Sequence, residues 1–93
     1  MARHKSEIII HRPVVWVTGA SHGIEREIAK QFASIGCEVC LSSRNKKALQ
    51  SVVKEIVSLG GRAYSFPCDI TDPKAITTTV KRIGKQIGDV DVL

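Results

Sequence analysis

With 93 residues the chain has room for one domain and a small core, since chains of this size bury only about 60–65% of the surface they expose when unfolded. Hydrophobic residues make up 43% and charged residues 25%, a balance that suits a globular domain and excludes a disordered one. The net charge of +5 suits an anionic partner, but aromatic residues are only 4% and no basic run interleaves with them, which argues against a base-stacking surface for single strands.

Residues 1–12 form a basic lead-in, with Arg3, His4, Lys5, His11 and Arg12 as its densest patch. Such a patch reads as a solvated tail rather than a DNA-binding arm. Ile8-Ile9-Ile10 is too short for a signal-peptide core. No stretch approaches the ~20 apolar residues of a membrane span. The expectation is therefore a cytoplasmic protein with neither nucleic acid nor membrane as partner. Three cysteines, an odd number, give no disulfide framework.

A domain is expected over residues 13–93. Val14-Val15-Trp16-Val17 is a continuous apolar run, the pattern of a strand buried on both faces. Thr18-Gly19-Ala20-Ser21-His22-Gly23 is rich in turn residues. A helix is then predicted, with Ile24, Ile28, Phe32 and Ile35 as its buried stripe, Ala29 and Ala33 widening it, and Gly36 ending it. Val39-Cys40-Leu41 reads as a second strand. Leu49, Val52, Val53 and Ile56 recur at i, i+3, i+4 and i+7 in a second helix, which Gly60-Gly61 ends. Residues 63–66 read as a third strand. Thr71 is placed to cap a third helix, Pro73 suits its first turn, and Ile76, Val80, Ile83 and Ile87 form its stripe up to Gly88. Val90-Asp91-Val92-Leu93 begins a fourth strand. The order β-α-β-α-β-α-β implies right-handed crossovers and a parallel sheet with flanking helices.

The most informative segment joins the first strand to the first helix. A helix N-terminus offers unpaired N–H groups and a positive dipole end, and glycines there let a pyrophosphate approach the backbone. Gly19 and Gly23 supply two such positions, and Ser21 can cap or donate to phosphate. The spacing departs from G-x-G-x-x-G, because position 21 is Ser and position 24 is Ile. It fits a variant, Thr-Gly-x-x-x-Gly-Ile, carried here by Thr18, Gly19, Gly23 and Ile24.

At this point the sequence resembles the short-chain dehydrogenase/reductase family. Two further segments agree with it: Ser43-Arg44-Asn45 after the second strand and Cys68-Asp69-Ile70 after the third. The closing Asp89-Val90-Asp91-Val92-Leu93 looks like that family's approach to its fourth strand. The resemblance implies a Rossmann-type α/β fold and a nicotinamide dinucleotide as cofactor, held by Thr18, Gly19, Ser21, His22, Gly23, Ile24, Arg44, Asn45, Asp69 and Ile70. Within the family the likeness is strongest to 3-oxoacyl-acyl-carrier-protein reductases and related carbonyl reductases.

An acidic residue after the second strand would bind the ribose 2′-hydroxyl of NAD, whereas an arginine accommodates the 2′-phosphate of NADP. Arg44 lies 21 residues after Gly23, with no Asp or Glu between Val39 and Asn45, so NADP(H) is expected rather than NAD. His22 can add a second cationic group. The resemblance gives Asp69 and Ile70 the adenine contacts, one accepting from the amino group and one packing on the ring.

Where the family's loop carries a third glycine, this chain has Glu25. Glutamate there brings bulk and negative charge toward the pyrophosphate, at a cost on the order of 1 kcal/mol or more. In the first helical turn the same residue gains roughly 0.3–1 kcal/mol from the macrodipole. Glu25 is therefore expected to support the helix and to weaken cofactor binding.

The resemblance also implies a catalytic Tyr-x-x-x-Lys. Tyr64 is the only tyrosine, and Cys68 stands four residues later. The chain is expected to be the truncated front of such an enzyme, without dehydrogenase activity of its own. Its fourth strand would leave an exposed edge that favours self-association. A non-catalytic nucleotide-binding or interaction module, or an inactive fragment, is the alternative reading, and a basic DNA-binding protein a distant third. Cys37-x-x-Cys40 matches a redox spacing, but strand residues three apart point to opposite faces, so these cysteines are expected to be small buried residues.

Overall fold

The computed structural model describes residues 12–19 and 23–92. The apolar run after Pro13 forms β1 (Val14–Thr18), and two shorter runs form β2 (Glu38–Ser42) and β3 (Arg62–Ser65). Between and after them stand α1 (Gly23–Ser34), α2 (Lys46–Ser58) and α3 (Pro73–Gln86). The sheet is parallel in the order β1-β2-β3, with Val15 opposite Val39 and Val39 opposite Ala63. On the other side of β1, Val92 forms a parallel bridge to Val15, where the fourth strand was expected. Trp16 N donates to Val92 O at 2.9 Å and Asp91 N to Val14 O at 2.8 Å. The spatial order is thus β3, β2, β1 and then the Val92 segment. This is the doubly wound α/β fold of Rossmann type that the sequence predicts.

Alternation along the strands builds a core on each face. Val15, Val17, Val39, Leu41 and Ala63 pack with Ala29 and Ala33 of α1 and with Leu49, Val52 and Ile56 of α2. Val14, Trp16 and Cys40 point the other way and pack with Phe66 and Ile83, joined by Tyr64, Ile76 and Ile87. The stripe predicted for α2 is the observed one. Gly61 follows that helix where a Cβ would sit 2.8 Å from Ile56 Cγ2 and 3.1 Å from Ala33 Cβ, so a side chain there would push α2 and α1 apart.

Three sequence expectations need correction. In α1 the small residues make the contact: Ala29 and Ala33 are buried and Phe32 half-buried, whereas Ile24 and Ile35 are 73% and 75% exposed and Ile28 is exposed as well. Alanines bring the helix close to the sheet, and the helix is pinned on α2, where Glu55 accepts from Arg26 and pairs with Lys30 Nζ at 3.0 Å. That orientation turns the isoleucines away from the core. In α3 the buried position beside Ile83 is Thr79, and Val80 is exposed, because Ile76, Thr79 and Ile83 share one side of the helix. The cap of α3 is Asp72, whose carboxylate accepts from Lys74 N at 3.0 Å; Thr71 instead donates to Asp69.

The cysteines are buried and free. Cys37 packs on the α1–α2 face and Cys40 on the opposite one, so the pair cannot meet as a redox couple. Desolvation, reinforced by the nearby Glu38 carboxylate, pushes the Cys40 thiol up to about 12 and keeps it protonated and inert at neutral pH.

One buried polar residue organises the α3 face. The Ser42 hydroxyl accepts from Trp16 Nε1 at 2.8 Å and donates to the Phe66 carbonyl, so one side chain ties β1, β2 and the end of β3. Ser42→Ala leaves a buried indole N–H unpaired and should cost about 1–3 kcal/mol in urea unfolding, with a shift in Trp16 emission. Leu49→Ala should cost about 2–5 kcal/mol in the same measurement. Ile35→Gln, on the exposed side of α1, should change stability by no more than about 0.5 kcal/mol.

Candidate cofactor-binding site

Parallel strands bring the loops that follow them to one rim of the sheet, and in such sheets ligands bind outside the carboxyl ends, where the strand order reverses. Here β1 is that position, with β2 on one side and the Val92 segment on the other. Backbone hydrogen bonds hold the rim together. Gly19 N donates to Ser42 O at 2.8 Å, Phe66 N to Leu41 O at 2.8 Å, and Cys68 N to Ser43 O at 3.1 Å. Thr18-Gly19, Ser43-Arg44-Asn45 and Cys68-Asp69, with 24 and 23 positions along the chain from the end of one segment to the start of the next, thereby become neighbours.

Thr18 ends β1 half-buried, and Gly19 turns the chain out of the strand. Gly19 has φ +71° and Gly23 φ +72°, a left-handed region in which a side chain would be strained. Gly23 opens α1, so the first free N–H groups of the helix lie at this rim. Ile24 stands exposed in that first turn. Ser21 and His22, to which the sequence gives cofactor contacts, lie outside the described residues.

Arg44 is exposed at the end of β2. Asn45 caps α2: its side-chain oxygen accepts from Ala48 N at 3.0 Å, and its own N–H donates to Ser43 Oγ at 3.0 Å. The side chain of Asn45 thus holds the helix start that positions Arg44. Asp69 accepts from Thr71 Oγ1 at 2.6 Å and Thr71 N at 2.9 Å through Oδ1. These hydrogen bonds, with a smaller contribution from the Arg44 charge, hold its carboxyl below the usual carboxylate range, so it is ionised at neutral pH. A carboxylate has about four acceptor sites, so the turn to Thr71 leaves others for a donor at the rim. Ile70 is exposed beside it.

The structure therefore gathers Thr18, Gly19, Gly23, Ile24, Arg44, Asn45, Asp69 and Ile70 at one end of the sheet. Sequence reasoning overlooked Ser42, which sits beneath this rim and whose carbonyl holds Gly19 in place. The signal was a single hydroxyl closing the apolar run Val39-Cys40-Leu41. Glu25 lies beside both glycines: a Cβ on Gly19 would lie 3.8 Å from its Cγ, and one on Gly23 would lie 3.7 Å from its Oε1. Among the described residues no group of three or more His, Cys, Asp or Glu could hold a metal ion, and no helix is long and apolar enough to cross a membrane.

Comparison with known proteins agrees with this geometry. Residues 13–93 match the model of the family described as short chain dehydrogenase. The chain is 41% identical over 80 residues to a fatty acyl-CoA reductase of Acinetobacter baylyi, a match that covers 86% of this chain and 27% of that protein. It is 40% identical over 77 residues to the 7alpha-hydroxysteroid dehydrogenase of Escherichia coli, covering 83% of this chain and 30% of the relative. Among solved structures it resembles a metagenomic short-chain oxidoreductase in complex with NADP, with a TM-score of 0.83 and 40% identity over 87% of this chain and 37% of that one. The chain spans about a third or less of the curated relatives it matches. Three loops joined at the switch point of a doubly wound sheet, and a family match that runs from Pro13 to the end of the sequence, make the chain a member of the short chain dehydrogenase family.

Proposed function

We propose that the chain binds NADP(H) across the carboxyl ends of its strands and forms the cofactor-binding portion of a short chain dehydrogenase. The observation that carries this reading is the joining of the three loops, which puts Arg44 and Asp69 on the same rim as the Gly19–Gly23 turn. The N-terminus of α1, with Gly19, Ser21, His22, Gly23 and Ile24, receives the pyrophosphate, and Thr18 fixes the strand end from which the turn departs. The Arg44 guanidinium pairs with the 2′-phosphate, on a loop whose start Asn45 fixes and where no carboxylate competes between Val39 and Asn45. Asp69 accepts from the adenine amino group and Ile70 packs on the ring. A nearby relative of known structure is described as a complex with NADP, which supports the same cofactor here.

The cofactor, once bound, supplies hydride chemistry at a carbonyl or hydroxyl carbon. The 93 residues contribute binding and orientation to it, because they hold no Tyr-x-x-x-Lys. The substrate class we favour is a carbonyl or a 3-oxoacyl thioester. The thioester rests on the sequence resemblance alone, whereas the relatives found carry other names, among them a fatty acyl-CoA reductase and a 7alpha-hydroxysteroid dehydrogenase, and broaden the range.

Trp16 is a built-in reporter, being the only tryptophan and bonded to Ser42 beneath the rim. NADPH should change its fluorescence at lower concentration than NADH. Arg44→Ala should weaken NADPH binding about 10- to 100-fold, the equivalent of roughly 1.5–3 kcal/mol for a charge-assisted contact, and leave NADH within about twofold. Equal affinity for the two dinucleotides, unchanged by Arg44→Ala, would refute the assignment of Arg44.

A further inference from the structure

We propose that Ser42 is a positioning residue for the adenosine end of the dinucleotide: its hydroxyl, bound to the Phe66 carbonyl, sets where the Asp69 loop stands relative to the Arg44 loop. This rests on the reading of that rim as the cofactor site. Regular pairing of β2 with β3 ends at Leu41 and Ser65. Beyond it the chain must still reach Asp69, and Pro67 on the way has no N–H to offer β2. Three hydrogen bonds carry the segment along: Phe66 N to Leu41 O at 2.8 Å, Ser42 Oγ to Phe66 O, and Cys68 N to Ser43 O at 3.1 Å. The middle one is made by a side chain, so a single substitution removes it without altering the backbone of either loop. The Arg44 side of the rim is fixed locally, because Asn45 N donates to Ser43 Oγ and the Asn45 side chain caps α2. Asp69 has its own turn to Thr71, but that turn moves with the segment and does not tie it to β2. The Thr71 hydrogen bonds and, to a smaller extent, the Arg44 charge hold the Asp69 carboxyl below the usual carboxylate range, so the two loops stand within electrostatic reach of each other. A ligand that meets Arg44 with its 2′-phosphate and Asp69 with its adenine needs the two at one fixed spacing, and a preset spacing lowers the cost of ordering them. Ser42 is fully buried, so it acts on the rim from beneath and not as a contact. Without its hydroxyl, the buried Phe66 carbonyl loses its partner and the segment leading to Asp69 is less firmly held to β2.

The test is calorimetric titration of the full chain with adenosine 2′,5′-bisphosphate, which carries the 2′-phosphate and the adenine of NADP without its pyrophosphate or nicotinamide. The native protein, Ser42→Ala and Trp16→Phe are compared, each with its thermal midpoint measured. Trp16→Phe removes the indole bond to Ser42 and leaves the hydroxyl able to donate to Phe66 O, so it disturbs the same buried network without releasing the segment. Ser42→Ala should bind the bisphosphate about tenfold more weakly than the native chain, a loss of about 1.4 kcal/mol, and Trp16→Phe should match the native chain within about twofold. A loss of core stability alone would move the two variants together. Ser42→Cys fills nearly the same space with a weaker donor and should fall between the native chain and Ser42→Ala. It replaces the alanine variant in the same comparison if that variant does not fold. If the native chain binds the bisphosphate and Ser42→Ala binds within about twofold of it, or if Ser42→Ala and Trp16→Phe weaken alike, the positioning role is overturned and the cofactor reading stands. If the native chain does not bind the bisphosphate at millimolar concentration, the cofactor reading fails and the positioning role with it.

Discussion

The arrangement depends on β1 being buried on both faces and paired on both sides. Val15 and Val17 face α1 and α2, while Val14 and Trp16 face α3. One edge of β1 carries β2 and the other receives Val92. A strand held in this way has no freedom to shift register, since a slip of one residue would exchange its two cores. The turn at Gly19 is therefore placed by the sheet rather than by its own sequence. Ser42 extends that control upward: its hydroxyl links Trp16 and Phe66, and its carbonyl receives the Gly19 amide. One residue thus sits between the core and the rim where the three loops meet.

Division of labour at that rim follows from the limited supply of donors and acceptors. Asn45 and Asp69 each do structural work in loops to which the sequence gives cofactor contacts. Asn45 caps α2 and so presents Arg44, while Asp69 closes the turn to Thr71. These roles are compatible with ligand contact because a helix cap or a tight turn uses only part of a side chain's hydrogen-bonding capacity. Preorganisation of this kind lowers the entropy lost when a ligand orders the loops.

Ile24, Ile28 and Ile35 form an apolar stripe that the observed core does not cover, and Ile28 and Phe32 border a depression shared with β1 and Val92. The hydrophobic period of α1 is helical, but its inward face is the alanine one, Ala29 and Ala33, rather than the isoleucine stripe.

The sequence by itself determined the class of fold. Uninterrupted β-rich runs before turn residues, and apolar residues at helical spacing between glycines, are local signals that survive without knowledge of neighbours. It also marked the loop residues: Gly19 and Gly23 at a strand-to-helix junction, Arg44 with no Asp or Glu between Val39 and Asn45, and Asp69 after the third strand. Tertiary structure decided which helical face is inside, because Ala29 and Thr79 are buried by the distance and rotation of their helices rather than by their own hydrophobicity. It decided that Ser42 is a clamp, since its partners lie 26 residues back and 24 ahead. It also decided where Glu25 points. A first-turn glutamate is favourable to the dipole in any direction, and in the fold Arg26 and Lys30 pair with Glu55 of α2 while Glu25 lies beside Gly19 and Gly23.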